Sequence, residues 1–490
     1  MRKLIPLVIM MLLLCSGLGA AELMNTSSLS QQENIGTNNG LIFRRTITVS
    51  AKNNQYDLII ITPSDLFNSF TPLVEHKEKY GITSKTVSLD DIYSGIYFQV
   101  EGRDDAEKIK YFIKNAIEQW DVRYVMLVGG KEEMPVRYSY IQSSSGPSKF
   151  ISDLYYADVY NEAGSFCSWD SNGNNRFGEM NDNEIVDDVD LYPDVCIGRM
   201  LCGTESEVQT ALNKIIEYES KDVSSTNWFN NLILCGGDEY PYIIIEMLYP
   251  LLLQRTGRIA FEGEYLSKQI ALLLNDFNAK KIFASVTRDN EAVPFTTEHI
   301  HNAINEGAGF LLFSTHGDTD KVLTHSPFDW DVWLPSFSGY SSSDVKNLRN
   351  EERLPVAIFS ACLCGDFDAV ESPIAWEFIN HDSGGSIASL ACTTVSDGLP
   401  GTLCTESLIG YLTKGFFQEY SKGNEILGEV WKATICNYLN DDEALRIGAP
   451  DLTFGRLTLI QSPCFLNHFV IEDWILFGDP SLKIGGYPGV

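Results

Sequence analysis

What this 490-residue chain lacks narrows its chemistry. It has no Gly-x-Ser-x-Gly elbow and no His-Glu-x-x-His helix, so it carries neither an α/β-hydrolase serine nor a zincin site. Basic residues are scarce: 36 Lys and Arg stand against 66 Asp and Glu, a formal charge of −30. That balance repels phosphate backbones and anionic bilayers, which argues against nucleic acid and anionic membranes as partners. It suits solubility, high salt or bound cations. Cysteine is modest too, eleven residues without regular spacing, which excludes a small disulfide-framed scaffold. Cys235 and Cys392 sit inside apolar runs, where a free thiol packs as a small hydrophobe. Beyond Leu14 no apolar run approaches the roughly 20 residues that span a bilayer, and no short-period repeat is present.

The N-terminus reads as a secretory leader. Arg2 and Lys3 precede an apolar run from Leu4 to Leu14, and small residues follow, with cleavage expected after Ala20 or Ala21. Residues 1–21 are therefore expected to leave, and the mature chain to be exported, without a transmembrane segment. Residues 22–55 are polar and read as a lead-in or short propeptide. From Tyr56 onward, short apolar runs alternate with helix-like segments. The runs are YDLIIIT (56–62), YVMLVGG (124–130), NLILCGGD (231–238), GFLLFSTHGD (309–318), PVAIFSACLCGD (355–366) and GSIASLACTT (385–394). Runs apolar on both faces are expected in a parallel sheet buried between helical layers. SDLFNSFTPLVEHKEKYG and DDAEKIKYFIKNAIEQW have helical spacing and good start signals. The expectation is an α/β layered fold with a mostly parallel sheet. It divides into an N-terminal subdomain (56–200), which carries an acidic insertion (152–196), and a second subdomain (201–490).

In such a sheet, ligands bind beyond the carboxyl ends of the strands. Three ends carry reactive side chains: Asp238 and Glu239 after LILCGG, His316 in FSTHGD, and Cys362 in SACLCGDFD (360–368). A thiol nucleophile needs this set: an imidazole to manage protons and a carboxylate to orient it. A strand-end turn near a histidine is also where a depressed thiol pKa is expected. The Cys362/Cys364 doublet suits zinc poorly, because no second Cys/His pair lies at ligand spacing and His299 and His301 diverge on a helix. One intervening residue is also too few for the usual redox pair.

The elements FLLFSTHGD, PVAIFSACLCGDFD, LYPDVCIGRM (191–200), WFNNLILCGGDE (228–239) and ILFGDPSL (475–482) occur in the order found in the gingipain family of cysteine peptidases. The chain resembles that family, a relative of caspases and legumains, along most of its mature length. The resemblance implies a three-layer caspase-like fold of two fused subdomains. It assigns His316 as general acid/base, Cys362 as nucleophile and Glu239, with Asp238 as its rival, as the orienting acid. It further implies an oxyanion hole from the backbone N–H groups of Gly317 and Cys362. Cys364 matches no position where the family demands sulfur. The segment between His316 and Cys362 looks longer than in gingipains, and its aromatic insert HSPFDWDVWLPSFSGY (325–340) is expected to wall or cover the cleft. The family's long propeptide and trailing immunoglobulin-like domain are not expected here, and its preference for basic side chains is not transferred.

In the insertion, WDSNGNNRFGE (169–179) places Asp170, Asn172 and Asn174 at alternate positions, with Glu179 beyond them. Oxygen ligands alternating around a glycine turn are how a loop wraps Ca²⁺. Asp182, Asp187, Asp188 and Asp190 add carboxylates downstream, although the Gly and Glu of a full EF-hand are missing. Gingipains are calcium-stabilised, so the resemblance favours a structural Ca²⁺ here; catalysis needs no cofactor. The reading is a secreted cysteine endopeptidase acting on protein or peptide substrates. Its alternatives are a non-catalytic peptide- or surface-binding protein of the same fold and a transpeptidase or processing enzyme for exported proteins. The sequence leaves the P1 preference and the oligomeric state open.

Overall fold

The computed structural model describes residues 55–143, 146–181, 184–240, 260–286, 289–327, 329–447 and 463–488. The leader, most of the polar lead-in and Asp182 lie outside the described residues. Strands β1 (Leu58–Thr62), β2 (Ser84–Ser88) and β3 (Tyr124–Val128) come first. A small sheet of β4 (Tyr138–Ser143), β5 (Gly146–Ile151) and β6 (Phe177–Asn181) precedes β7 (Cys196–Met200). Next come β8 (Asn231–Gly236), β9 (Asn278–Phe283), β10 (Val293–Pro294) and β11 (Phe310–Ser314). A second small sheet holds β12 (His316–Asp318), β13 (Lys321–Ser326), β14 (Asp329–Leu334) and β15 (Tyr340–Ser341). The last strands are β16 (Val356–Ser360), β17 (Ala388–Cys392) and β18 (Trp474–Phe477).

Eleven strands form one sheet in the order β10-β9-β8-β11-β16-β17-β18-β7-β3-β1-β2. Its pairings are parallel except that of β17 with β18. The expected mostly parallel α/β sheet is present, and each of the six apolar runs contains one of its strands. Every residue of β1, β3, β11, β16 and β17 is buried, as a sheet covered on both faces requires. The expected helix at 104–120 forms as Asp105–Trp120. The Asp104 carboxylate accepts from Glu107 N at its start, and Asp121 ends it in the left-handed region. The expected helix after Ser64 is broken. A 3₁₀ turn covers Phe67–Phe70, and Pro72 opens the α-helix Thr71–Lys79.

Three of the family-like motifs interlock where β18 joins the two parts of the sheet. A Cβ on Gly198 would lie 2.5 Å from the Gly478 carbonyl oxygen, so β7 can approach the FGDPSL turn only through glycine. Arg199 is fully buried. It donates to Asp153 at 2.6 and 2.7 Å and to the Gly129 carbonyl at 2.9 Å. Its guanidinium lies 5.2 Å from the Phe367 ring, which in turn meets Phe477 edge-on. Buried Asp479 pairs with buried Lys77 at 2.7 Å, and Lys77 also binds Glu219 at 2.8 Å. Truncating one partner of such a pair strands a buried charge, at a cost of about 3–5 kcal/mol. These motifs hold together the platform that carries the strand ends.

Candidate active site

β8, β11 and β16 are adjacent and parallel, and their register aligns Gly236 with Ser314 and Ser314 with Ser360. Asp238, His316 and Cys362 each follow those residues by two positions. They therefore emerge at one level from neighbouring strands, whose spacing is about 4.8 Å. The spatial order is acid, imidazole, thiol.

The turn after β16 is sharp. Leu363 takes φ 61°, and its N–H donates to Thr394 O at 2.9 Å while Gly365 N–H donates to Cys392 O at 2.8 Å. This pins the turn to the end of β17 and leaves Cys362 half-buried at its crest. A Cβ on Gly317 would collide with Cys362 O and lie 2.6 Å from Cys364 Sγ. The glycine after His316 thus lets the two chain segments touch, and Cys364 is the fully buried filler beneath it. The doublet has two different surroundings: Cys362 donates to Ser396 O at 3.5 Å, whereas Cys364 is packed away from solvent.

The two candidate acids diverge. Glu239 accepts from Ser314 Oγ at 3.0 Å, at the end of the strand that leads to His316. The Asp238 backbone instead bridges to His325 and accepts from Thr324 Oγ1 at 3.2 Å, which fixes the base of the β13–β14 hairpin. Gly237 makes room, since a Cβ there would collide with the Thr324 side chain. Buried Glu262, the first residue of the helix Glu262–Leu273, connects the acid turn to the loop beside the thiol. Its carboxylate accepts from Glu239 N at 3.2 Å and from Gly401 N at 2.5 Å. Among the described residues no basic side chain pairs with Asp238, Glu239 or Glu262. Burial accordingly pushes Glu239 up to about 7, with the charge of Asp238 adding to the rise. Asp238 and Glu262 are raised as well, by burial first and then by neighbouring carboxylates.

His316 is the first residue of β12 and stands against the aromatic hairpin. Its ring lies 5.3 Å from His325 and 5.8 Å from Trp333, edge-on to both, while Trp333 covers His325 at 3.7 Å. The expected aromatic wall is therefore the β13–β14 hairpin. Burial lowers His316 to about 4, so its imidazole is neutral at neutral pH. The expectation of a depressed thiol is overturned. Burial, then the charges of Asp397, Asp473 and Glu239, push Cys362 up to about 12. Acids crowd the half-buried turn, so the resting groups are a protonated thiol and a neutral imidazole.

The residues singled out for a cation also come together. Asp170 Oδ1 accepts from Asn174 N at 2.9 Å and Oδ2 from Asn175 N at 3.0 Å, and Asp170 also pairs with Arg103. Asn172 Oδ1 accepts from Asn174 N at 3.0 Å. Glu179 accepts from Asn174 Nδ2 at 2.6 Å and pairs with Arg176 at 2.9 Å. Asp187 accepts from Ser171 N at 2.8 Å and Glu179 N at 2.9 Å. The oxygens that Ca²⁺ would need are turned to backbone amides and two guanidinium groups, and this donor set as arranged fits a cation poorly. No group of three or more metal-ligating side chains occurs among the described residues.

Glu262, Asp397 and Trp333 carry no individual signal in the sequence. Glu262 and Asp397 come from a helix start and a loop without a motif, and only the fold carries Glu262 to the acid turn and the charge of Asp397 to the thiol. Trp333 is visible only as part of an aromatic-rich insert.

A mostly parallel sheet that presents acid, imidazole and thiol on adjacent strand ends belongs to the class of caspase-like α/β folds. The model of peptidase family C25 matches residues 51–485, and the chain belongs to that family of cysteine peptidases. Gingipain R2 of Porphyromonas gingivalis is 21% identical over 433 residues, which cover 87% of this chain and 46% of the relative. The chain thus spans about half the length of that relative, and less of the gingipain R1 sequences it also matches. An uncharacterized protein of Archaeoglobus fulgidus is 24% identical over 361 residues, covering 68% of this chain and 75% of the relative. The crystal structure of the Arg-specific cysteine proteinase gingipain R shares the fold, with a TM-score of 0.58 at 18% identity over 89% of this chain and 79% of the other. The complex of the Porphyromonas gingivalis RgpB pro- and mature domains matches at TM-score 0.58 and 18% identity, over 87% and 79% of the two chains. Among the described residues, no helix is long and apolar enough to cross a membrane.

Proposed function

We propose that this chain is an exported cysteine endopeptidase acting on proteins or peptides, with Cys362 as nucleophile, His316 as general acid/base and Glu239 as the acid that orients His316. The observation that carries this reading is the common level at which the Asp238–Glu239 turn, His316 and Cys362 leave three adjacent parallel strands. Between the two acids, the Ser314 hydrogen bond turns the Glu239 carboxylate toward the histidine strand, whereas the hairpin holds Asp238 through its backbone alone. The leader at residues 1–21 supports export.

Since the resting pair is neutral, His316 removes the thiol proton as Cys362 Sγ attacks the carbonyl carbon. The carbonyl π electrons move to oxygen, where the N–H groups of Gly317 and Cys362, brought together by their close backbone approach, are suited to receive the charge. His316 then gives its proton to the departing amine as the C–N bond breaks. Water, deprotonated by the same imidazole, cleaves the thioester and restores the thiol. Glu239 in its ionised form favours the imidazolium that exists between those transfers.

The test is digestion of casein by the purified chain beside Cys362→Ala. Cleavage by the wild type alone is expected. Intact casein with both, or equal cleavage by both, overturns the reading.

A further inference from the structure

The geometry points to a substrate subsite on the leaving-group side of the scissile bond, formed by Trp333 and Phe337 and selective for an aromatic or large aliphatic side chain; this rests on the peptidase reading above. The two flanks of the strand-end cluster differ. On the thiol side, the loop after β17 brings Ser396 O to 3.5 Å from Cys362 Sγ. On the imidazole side, the flank is the β13–β14 hairpin, with Trp333 5.8 Å from His316 and Phe337 6.5 Å from Trp333, edge-on. The hairpin's base is rigid. β13 pairs with β12 at His316↔Leu323, His325 is buried, and the backbone bridge from His325 to Asp238 ties the hairpin to β8.

The chemistry fixes which part of a substrate meets this flank. In acyl transfer to a thiol, the imidazole must protonate the departing amine, so that nitrogen lies on the histidine side of the attacked carbon. The chain beyond the nitrogen then leaves past His316 and along the hairpin. The first or second side chain after the cut is therefore the one that meets Trp333 and Phe337.

Phe337, in the turn between β14 and β15, is 59% exposed, so its ring is open to a ligand. Trp333 is half-buried, and His325 covers one of its faces. The two rings, with the Lys321 ammonium 5.7 Å from the Phe337 ring, offer a mainly apolar corner beside His316. An aromatic side chain entering it buries apolar surface and gains edge-to-face contacts.

The test works whatever residue precedes the cut. A proteome-derived peptide library is digested by wild type, Phe337→Ala, Trp333→Ala and Trp333→Phe, and the residues on both sides of each cut are read by mass spectrometry. Wild type is expected to enrich Phe, Tyr, Trp or Leu about tenfold over Ala at one of the first two positions after the cut, the discrimination an apolar pocket supplies. Phe337→Ala and Trp333→Ala are expected to bring that enrichment toward unity while the preference before the cut persists, and Trp333→Phe to keep it. A wild type that cleaves without such enrichment overturns the subsite and leaves the peptidase reading standing. Variants that keep the enrichment, or lose selectivity equally on both sides, also overturn it. A wild type that cleaves nothing sinks the peptidase reading, and the subsite with it.

Discussion

Two acidic clusters in this molecule treat a glutamate in opposite ways: Glu239 at the strand end is raised, and Glu179 in the insertion is lowered. At the end of β8, Asp238, Glu239 and Glu262 are crowded together with no basic partner among the described residues, and all are pushed toward the protonated form. In the 169–190 loop, burial also works on Glu179, but hydrogen bonds from Asn174 and Arg176 outweigh it and hold the carboxyl below its usual range. The loop is contiguous in sequence and meets Glu179 with its own Asn174 and Arg176, takes Arg103 from outside for Asp170, and leaves Asp187 and Asp190 raised by burial. The strand-end cluster is gathered from distant segments and keeps its electrostatic tension. Unrelieved tension in a cleft is a mark of a working site, and relieved charge a mark of structure.

The largest effect that could break this contrast is on activity. Cys362→Ala or His316→Ala is expected to lower kcat/KM by on the order of 10⁴-fold or more, as for paired catalytic groups elsewhere. Glu179→Gln in the loop is expected to leave casein cleavage close to wild type and to lower the melting temperature. A loop variant as dead as Cys362→Ala would erase the distinction.

Next comes the pH dependence of catalysis. With Glu239 at about 7, the wild-type kcat/KM should rise with pH through that value as the orienting carboxylate ionises. Glu239→Gln should cut kcat by about 10²-fold and abolish this limb, whereas Asp238→Asn should retain it. The reverse pattern would make Asp238 the orienting acid.

Stability should follow the raised acids as well. Above the ordinary carboxylate range the folded protein holds protons that the unfolded chain has released, so stability falls as pH rises toward and past about 7. His316 acts in the other direction. It is lowered from 6.5 to about 4, and it destabilises the fold only as pH falls below 6.5. Between 6.5 and 8 the cluster's acids contribute a decline in melting temperature, opposed by buried Lys214, which burial lowers to about 7 and which favours the fold as pH rises. Glu262→Gln should flatten that decline, and an unchanged slope would remove Glu262 from the cluster.

The smallest expected effect concerns calcium. Because Arg103 and Arg176 already pair with Asp170 and Glu179, EGTA and millimolar Ca²⁺ should give the same melting temperature. A clear rise with Ca²⁺ would show that the guanidinium groups give way to a cation.

Much of the fold is legible in the chain itself. Apolar runs such as YDLIIIT and PVAIFSACLCGD mark strands buried on both faces, and the acid, histidine and cysteine stand where those runs end. β2 and β9 are not legible. One lies at the edge of the sheet and the other beside the two-residue edge strand β10, and sequences such as SKTVS and NAKKIF carry no apolar face to reveal them. The reversal of β18 against β17 is equally hidden, because strand direction depends on partners that no local pattern specifies. The thiol's pKa escapes the sequence for a related reason. Asp397 and Asp473 lie far from Cys362 in sequence, and only the fold brings their charges to it. The converging oxygens of the 169–179 loop are visible in its own residues. Arg103, which precedes the loop by a whole helix and a hairpin, gives no sign in the sequence that it pairs with Asp170.

Catalysis at this strand end is tested most directly by which sulfur reacts. Alkylation by iodoacetamide, followed over time by peptide mapping and by residual casein cleavage, measures this in one experiment. Cys362 is expected to label first, activity to fall in step with its labelling, and His316→Ala to slow the reaction, while Cys364 stays unlabelled in the folded protein. Activity that persists with Cys362 fully alkylated, or that disappears with labelling of another cysteine, would contradict it.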